Sequence, residues 1–330
     1  MGMSRRSILR YAVAAGAATG LAGCSGRPQK GTPTVATSQM TTTASAPTPQ
    51  GSTPDALPST SPWQPSSRDV SPDVKGVAVR LAEAIGTWDV GEGGMSGART
   101  RLQTSGFDPA LASELATVIS DDEASVSQVV MAQYGGILAE SASVLVVLDQ
   151  WLLGTEGRVR KRGTTLDIRL AADEPEWTVV AVRPARPGRQ SPEMSRAARR
   201  VLANDRVVLP VAARRDVRAG AINDSVLQAL TLLSARHQLD VSVLRSGHPI
   251  RVFGTSRTSN HTEGLAVDVW ALDGRPIITS GRSATVADFM TAARDAGAYQ
   301  VGGPVDLDPS GASFFSDDTH QDHIHLGFTG

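Results

Sequence analysis

The chain has 330 residues, which is enough for two domains and additional segments. Its hydrophobic fraction of 40% can supply a buried core, and its formal net charge of −1 gives no overall field that would attract nucleic acid or an anionic membrane. Nucleic acid is therefore not expected as a partner, and other partners must be identified from local features.

The first residues of the chain have the features of an export signal. Arg5 and Arg6 form a basic region, and residues 11–23 are apolar and rich in Ala and Gly. This apolar stretch is shorter than the roughly 20 residues that a membrane-spanning helix needs, but its length is typical of a signal peptide. Residues 4–9 also resemble a twin-arginine export signal, with Ile8 where phenylalanine is usual. We therefore predict that the protein is exported.

The predicted signal ends at Leu21-Ala22-Gly23-Cys24, which resembles the lipobox of bacterial lipoproteins. The resemblance implies a signal peptide over residues 1–23, cleavage before Cys24, and a lipid on the Cys24 sulfur that anchors the protein to the outer face of the cytoplasmic membrane. Cys24 is the only cysteine, so no disulfide can form within the chain. The alternative is an ordinary signal peptide with an incidental cysteine.

A linker is expected after the anchor. Residues 24–69 are rich in Pro, Ser, Thr and Gly and contain few large apolar side chains. Such a composition buries too little surface to offset the entropy of ordering, so we predict a disordered segment. It would hold the folded part away from the membrane, within reach of a cell wall.

Residues 70–184 are predicted to form a first domain. Val77, Leu81 and Ile85 mark an apolar helical stripe, and a second helix is predicted from Pro109 to Ile119. Four segments rich in β-branched residues follow and predict an antiparallel meander with strands at 126–137, 143–153, 158–170 and 177–182. Helices followed by strands indicate a small α+β domain, whose pattern resembles the nuclear-transport-factor-two-like fold. This domain contains no histidine, and we expect it to be a spacer, binding or docking module.

A hinge is predicted at 185–192, followed by a second α+β domain at 193–330. The apolar periodicities and capping residues of this domain predict three helices and three strands, namely helices at 195–203, 224–237 and 286–296 and strands at 240–244, 265–272 and 323–328. Alternation along the last strand places His323 and His325 on one face.

Two motifs in the second domain contain residues that bind metals. Ser259-x-His261-x-x-Gly264-x-Ala266-x-Asp268 fits the S-x-H-x-x-G-x-A-x-D signature of zinc D-alanyl-D-alanine carboxypeptidases, and Asp322-His323-Ile324-His325 resembles their D-H-x-H element. Together they resemble the metallopeptidase superfamily that also includes lysostaphin-type endopeptidases and the hedgehog domain. The resemblance covers residues 191–330 and implies a zinc fold with a central antiparallel sheet.

The resemblance implies that His261, Asp268 and His325 bind Zn²⁺. Catalytic zinc takes three protein ligands with N or O donors and leaves a position for water, so this set has the right composition. Zinc bound in this way lowers the pKa of water to about 7 and polarises a carbonyl group. A metal-free His–Asp hydrogen bond and an ordinary strand histidine are the alternatives for these residues.

Four further residues receive catalytic roles from the resemblance. Asp322 would be the general base, which takes a proton from water and passes it to the leaving amine. Arg245 matches an arginine near the substrate, where it would bind a carboxylate or the developing oxyanion. His320 and His323 would flank the metal, with His323 favoured as an outer-sphere donor. Strict strand alternation turns Asp322 away from the face of His325, so its role requires that Asp322 lie in the preceding loop.

These features lead to a prediction of function. We expect a lipid-anchored zinc peptidase that hydrolyses peptidoglycan stem peptides, as a carboxypeptidase that removes a terminal D-alanine or as an endopeptidase. One alternative is a non-catalytic, zinc-containing lipoprotein that binds cell-wall peptide or serves as a scaffold. A second alternative is a domain that has lost its metal and is purely structural.

Overall fold

The computed structural model describes residues 55–173 and 175–330. The described residues belong to one compact unit. The predicted signal peptide, the predicted lipidation site at Cys24 and the predicted linker up to residue 54 lie outside the described residues. Within the described part of the chain, no helix combines the length and the apolar character that crossing a membrane requires.

Residues 55–69 pack on the folded unit, and for them the prediction of a disordered linker was wrong. The backbone N–H of Asp55 donates to the carbonyl of Gly157, and that of Trp63 donates to Oε1 of Glu83. The Trp63 side chain also packs against the hydrophobic core of the N-terminal half. The segment contains few apolar residues, but its polar groups find partners on the surface that it covers.

The N-terminal half consists of helices packed on an antiparallel sheet of four strands in the order β1-β2-β3-β4. Its elements are α1 (Pro72–Gly86), α2 (Gly94–Thr104), a 3₁₀ helix (Pro109–Ser113), β1 (Ala124–Ile137), β2 (Ser141–Leu153), β3 (Val159–Asp173) and β4 (Glu176–Pro184). The stripe predicted from Val77, Leu81 and Ile85 lies on α1, where Leu81 and Ile85 are fully buried. The predicted second helix is only the short 3₁₀ helix, which begins where the Asp108 side chain accepts from Ala110 N.

The C-terminal half is a mixed, mainly antiparallel sheet with helices packed against it. Its elements are α3 (Arg196–Leu202), β5 (Val207–Val208), α4 (Val211–Arg218), α5 (Asp224–Leu233), β6 (Leu239–Val243), β7 (Ala266–Leu272), β8 (Arg275–Pro276), α6 (Ile277–Ser280), α7 (Ala284–Asp295), β9 (Gln300–Gly302), β10 (Phe314–Phe315) and β11 (Ile324–Gly327). The strand order is β10-β9-β11-β7-β6-β5, with β8 paired to β7. Both halves therefore have α+β architecture.

The centre of the second sheet carries the two sequence motifs. β11 pairs with β7 in antiparallel register, and this register places His325 directly opposite Asp268. His261 lies in the turn that precedes β7, where Gly264 N donates to the His261 carbonyl. Gly264 has a φ of +71°, and a Cβ at this position would lie 2.1 Å from the carbonyl oxygen of Ala221. Only glycine fits this turn, which explains the glycine of the motif.

The two halves meet along β1, the edge strand of the first sheet, and along β3, which contacts α4. A Cβ on Gly136 would lie 2.2 Å from Cβ of Phe253, so this glycine permits close packing of the loop between β6 and β7. Arg169 on β3 lies over the Phe253 ring, with its guanidinium carbon 5.2 Å from the ring centroid. The loop that follows β6 is therefore packed against the N-terminal sheet.

Candidate metal centre

Three donor atoms converge at the centre of the second sheet. Nδ1 of His325 lies 2.9 Å from Oδ1 of Asp268 and 3.2 Å from Nε2 of His261, and the latter two atoms are 3.1 Å apart. Bonds of 2.0–2.1 Å to a tetrahedral metal would place two donor atoms about 3.3 Å apart. His261 and Asp268 are buried, and His325 is partly exposed. The cluster can therefore hold a metal ion, with one side open.

Local contacts of His261 and burial of His325 favour coordination of a metal. Nδ1 of His261 donates to the carbonyl of Leu244 at 2.7 Å, which leaves the lone pair of Nε2 directed at the centre. Burial lowers the pKa of His325 to about 4, a shift that Asp268 opposes and that His261 and His320 support. His325 is thus neutral near pH 7, and a neutral imidazole is the form that coordinates a metal.

Asp268 supplies the negative charge of the cluster. Burial alone would raise its pKa, but His261 and His323 hold the pKa well below its usual value. Oδ1 faces His261 and His325, whereas Oδ2 accepts a hydrogen bond from Nε2 of Gln133 at 2.7 Å. The carboxylate is therefore ionised and points one oxygen into the centre.

His248 is a further candidate ligand, which the motifs did not indicate. Ligand atoms of His248, His261 and Asp268 lie within 4.8 Å of one another. However, the rings of His248 and His261 stack at 3.9 Å with an angle of 18° between their planes. In-plane lone pairs of nearly parallel rings do not meet at one point, so the closer Nδ1 of His325 is the better third ligand.

Asp322 does not occupy the position of a general base. It lies in the loop before β11, as the prediction required, but it is only 5% exposed and its carboxylate is turned toward the N-terminal half. Oδ2 lies 2.6 Å from Nζ of Lys75 and accepts from Tyr134 N at 3.0 Å, and Oδ1 bonds to Nδ1 of His323 at 2.6 Å. The buried Lys75, which also pairs with Asp69, accounts for this orientation.

His323 faces the metal centre in place of Asp322. Its Nδ1 bonds to Asp322, and its Nε2 lies 3.7 Å from Oδ2 of Asp268. Burial disfavours the charged ring, but the carboxylates of Asp268 and Asp322 raise the pKa of His323 above its ordinary value. His323 also lines the cavity beside the cluster, whereas Asp322 does not. The Asp322–His323 pair therefore presents an oriented imidazole to the cavity.

Arg245 also lies away from its predicted position. It is exposed, its Nε donates to the carbonyl of Thr262 at 3.0 Å, and it does not line the cavity. Arg257 does line the cavity. The guanidinium of Arg257 forms no hydrogen bond or ion pair with the residues that the structure describes. Arg257 is therefore the cation available to a bound anion.

The cavity beside the cluster has a volume of about 760 Å³. His320 lines it as predicted, with its ring 5.0 Å from that of His323 and its Nδ1 2.6 Å from Oδ1 of Asp317. The other side of the cavity is formed by residues 134–138 of the N-terminal half, and Phe315 supplies an apolar surface. The cavity is large enough for a short peptide and opens onto both polar and apolar groups.

No protein-family model matches the chain, and neither a curated protein nor a solved structure does so. The interpretation of the site therefore depends on its geometry and on the two motifs.

Proposed function

We propose that the protein is a zinc-dependent peptidase that hydrolyses peptidoglycan stem peptides at the cell envelope. The observation that carries the proposal is the convergence of His261, Asp268 and His325 on one point beside a large cavity. Two imidazoles and one carboxylate are the ligand set of many catalytic zinc sites, whereas a structural site would have four protein ligands. The motif resemblance to D-alanyl-D-alanine carboxypeptidases supports peptidoglycan as the substrate.

The surrounding residues supply the proton transfers of amide hydrolysis. Zinc at this position would act as a Lewis acid on the carbonyl and lower the pKa of water to about 7. Nε2 of His323 accepts a proton from the attacking water while Asp322 orients the ring. As the carbon–nitrogen bond breaks, His323 returns this proton to the nitrogen of the leaving amine. The new carboxylate retains the oxygen of the water.

The cavity supports a substrate that ends in a carboxylate. Arg257 offers a guanidinium without a partner among the described residues, and such a group binds a carboxylate through two parallel hydrogen bonds. Phe315 lies in the same cavity and offers an apolar surface to a small side chain such as the methyl group of alanine. A terminal D-alanine has both features.

The test is a digest of purified muropeptides read by mass spectrometry. We expect the zinc-loaded protein to release D-alanine, or to cleave a bond next to a D-residue, and we expect a chelator to stop the reaction. Digests of tripeptide, tetrapeptide and pentapeptide substrates would define the preferred bond. Unchanged masses for all three substrates would refute the proposed reaction.

Substitution of Arg257 by alanine is expected to raise KM for substrates with a free terminal carboxylate. A lost charge-assisted hydrogen bond costs about 1.5–3 kcal/mol, which corresponds to roughly a 10- to 150-fold increase in KM. Arg245→Ala is the matched control, because Arg245 is exposed and lies outside the cavity. Steady-state kinetics on a pentapeptide and its C-terminal amide would check this prediction. A larger effect of Arg245→Ala would restore the role that the sequence suggested for Arg245.

One observation favours the non-catalytic alternative. Asp322, the expected base, is buried against Lys75 and cannot reach the metal centre in this arrangement. A protein that binds zinc and cell-wall peptide without turnover would need no base. Isothermal titration with an uncleaved stem peptide, together with the digest, separates the two functions: binding without cleavage would identify a recognition protein.

A further inference from the structure

The edge strand β1 places one polar side chain against the metal centre. Successive side chains of a strand point to opposite faces. Tyr134 belongs to the hydrophobic core of the N-terminal half, so Gln133 faces the other way, toward the C-terminal half. Gln133 is 0% exposed. A buried amide without hydrogen bonds is costly, so its contacts indicate what it does.

Within the part of the chain that the structure describes, the side chain of Gln133 makes one hydrogen bond, and its acceptor is Asp268. Nε2 of Gln133 donates to Oδ2 of Asp268 at 2.7 Å across 135 positions of sequence. The ionised Asp268 can only accept, which fixes the amide with its nitrogen toward the carboxylate. Among the described residues, Oε1 of Gln133 has no partner, so Asp268 alone sets the orientation. This bond occupies Oδ2 of Asp268, so that Oδ1 of the same carboxylate faces His261 and His325.

Neighbouring contacts fix β1 against the second sheet. Tyr134 N donates to Oδ2 of Asp322 at 3.0 Å, and Ile137 N donates to Oγ1 of Thr319 at 3.3 Å. Lys75 on α1 pairs with the same Asp322 oxygen. Gln133 therefore approaches Asp268 from a strand that is fixed to the C-terminal half at the next residue and again at Ile137.

We propose that Gln133 is a positioning residue of the metal centre, so that the N-terminal sheet is an integral part of the zinc site. The inference rests on the proposed zinc-dependent function and assigns a role to the half of the chain that carries no metal ligand. Gln133 holds Asp268 in the rotamer that directs Oδ1 at the metal. Outer-sphere partners of this kind typically contribute 10- to 100-fold to metal affinity.

Zinc affinity of matched glutamine variants tests this proposal. Gln133→Met keeps the length of the side chain and removes the donor, and we expect zinc affinity, measured by competition with a chromophoric chelator, to fall about 10- to 100-fold. Gln150→Met is the control. Gln150 is also a buried glutamine of the same sheet, but it bonds to Gly86, Val118 and Arg162 instead of the site.

A second variant keeps the test decisive if the first does not fold. Gln133→Asn retains a polar amide but is one methylene too short for the 2.7 Å bond, and it should show the same loss of zinc affinity. Wild-type affinity in both Gln133 variants would overturn the proposal, and so would an equal loss in Gln150→Met. Reduced affinity in the Gln133 variants without muropeptide cleavage by the wild type would uphold Gln133 and refute the peptidase. Cleavage by the wild type, together with unaltered zinc affinity in the Gln133 variants, would uphold the peptidase and refute the role of Gln133.

Discussion

Replacement of His325 by alanine is expected to abolish stoichiometric zinc binding and all zinc-dependent hydrolysis. Nδ1 of His325 lies 2.9 Å and 3.2 Å from the donor atoms of Asp268 and His261, so it completes the set of three ligands. Loss of a direct ligand should reduce zinc affinity by more than the roughly 100-fold that loss of an outer-sphere partner costs. His248→Ala should retain zinc, because the stacked ring of His248 does not point at the same centre.

Elemental analysis of the purified variants checks this prediction. The wild type and His248→Ala should contain about one zinc per chain, and His325→Ala should contain none. His237→Ala controls for the loss of a histidine as such, since His237 pairs with Asp273 outside the cavity. Zinc retained in His325→Ala but lost in His248→Ala would make His248 the third ligand and leave His325 as a neighbour.

The second large effect is expected at His323. His323→Gln should retain zinc but lower kcat about 100- to 10,000-fold, the usual contribution of a positioned acid–base group. The reason is geometric: His323 lines the cavity and is oriented by Asp322, whereas Asp322 itself is buried against Lys75. Asp322→Asn should reduce kcat less, because it weakens the orientation of the ring and leaves the ring in place.

Zinc content and single-turnover rates of the two variants distinguish the roles. Both variants should contain one zinc, which shows that any loss of rate arises in proton transfer. A greater loss of kcat in Asp322→Asn than in His323→Gln would return the role of base to Asp322. In that case the carboxylate of Asp322 would have to move away from Lys75 when substrate binds.

The elements that local sequence determines were predicted well. The four strands of the N-terminal sheet lie near their predicted positions because β-branched runs are separated by clear turns. His261 and Asp268 occur within one motif, so the turn at Gly264 and the start of β7 fix their relation. His325 joins them through the register of β11 with β7, and strand alternation was sufficient to place it on the correct face.

Contacts between the halves could not be predicted in this way. Lys75 lies on a helix of the N-terminal half, and nothing in its sequence context indicates that it pairs with Asp322. Gln133 is equally inconspicuous, because a glutamine in a strand is usually a solvated residue. Both side chains become important only through the packing of β1 against the second sheet. The same packing turned Asp322 away from the position that the motif implied.

The position of His248 and the helix α2 were not predicted, for local reasons. His248 lies in a loop with glycine and proline neighbours, and its ring stacks on His261 because that loop packs on β1 and β3. α2 begins at Gly94 and has few apolar residues, so it lacks the periodic stripe that identifies a surface helix. Burial of Ala98 and Leu102 against the rest of the N-terminal half supports this helix instead.

The most direct test is a zinc titration of metal-free protein with D-alanine release from a muropeptide pentapeptide measured at each point. We expect no release without metal, a linear increase with added zinc and a plateau at one zinc per chain, with no activity at any zinc concentration in His325→Ala. Release by the metal-free protein, or no release from a chain shown to hold one zinc, would refute a zinc-dependent peptidase.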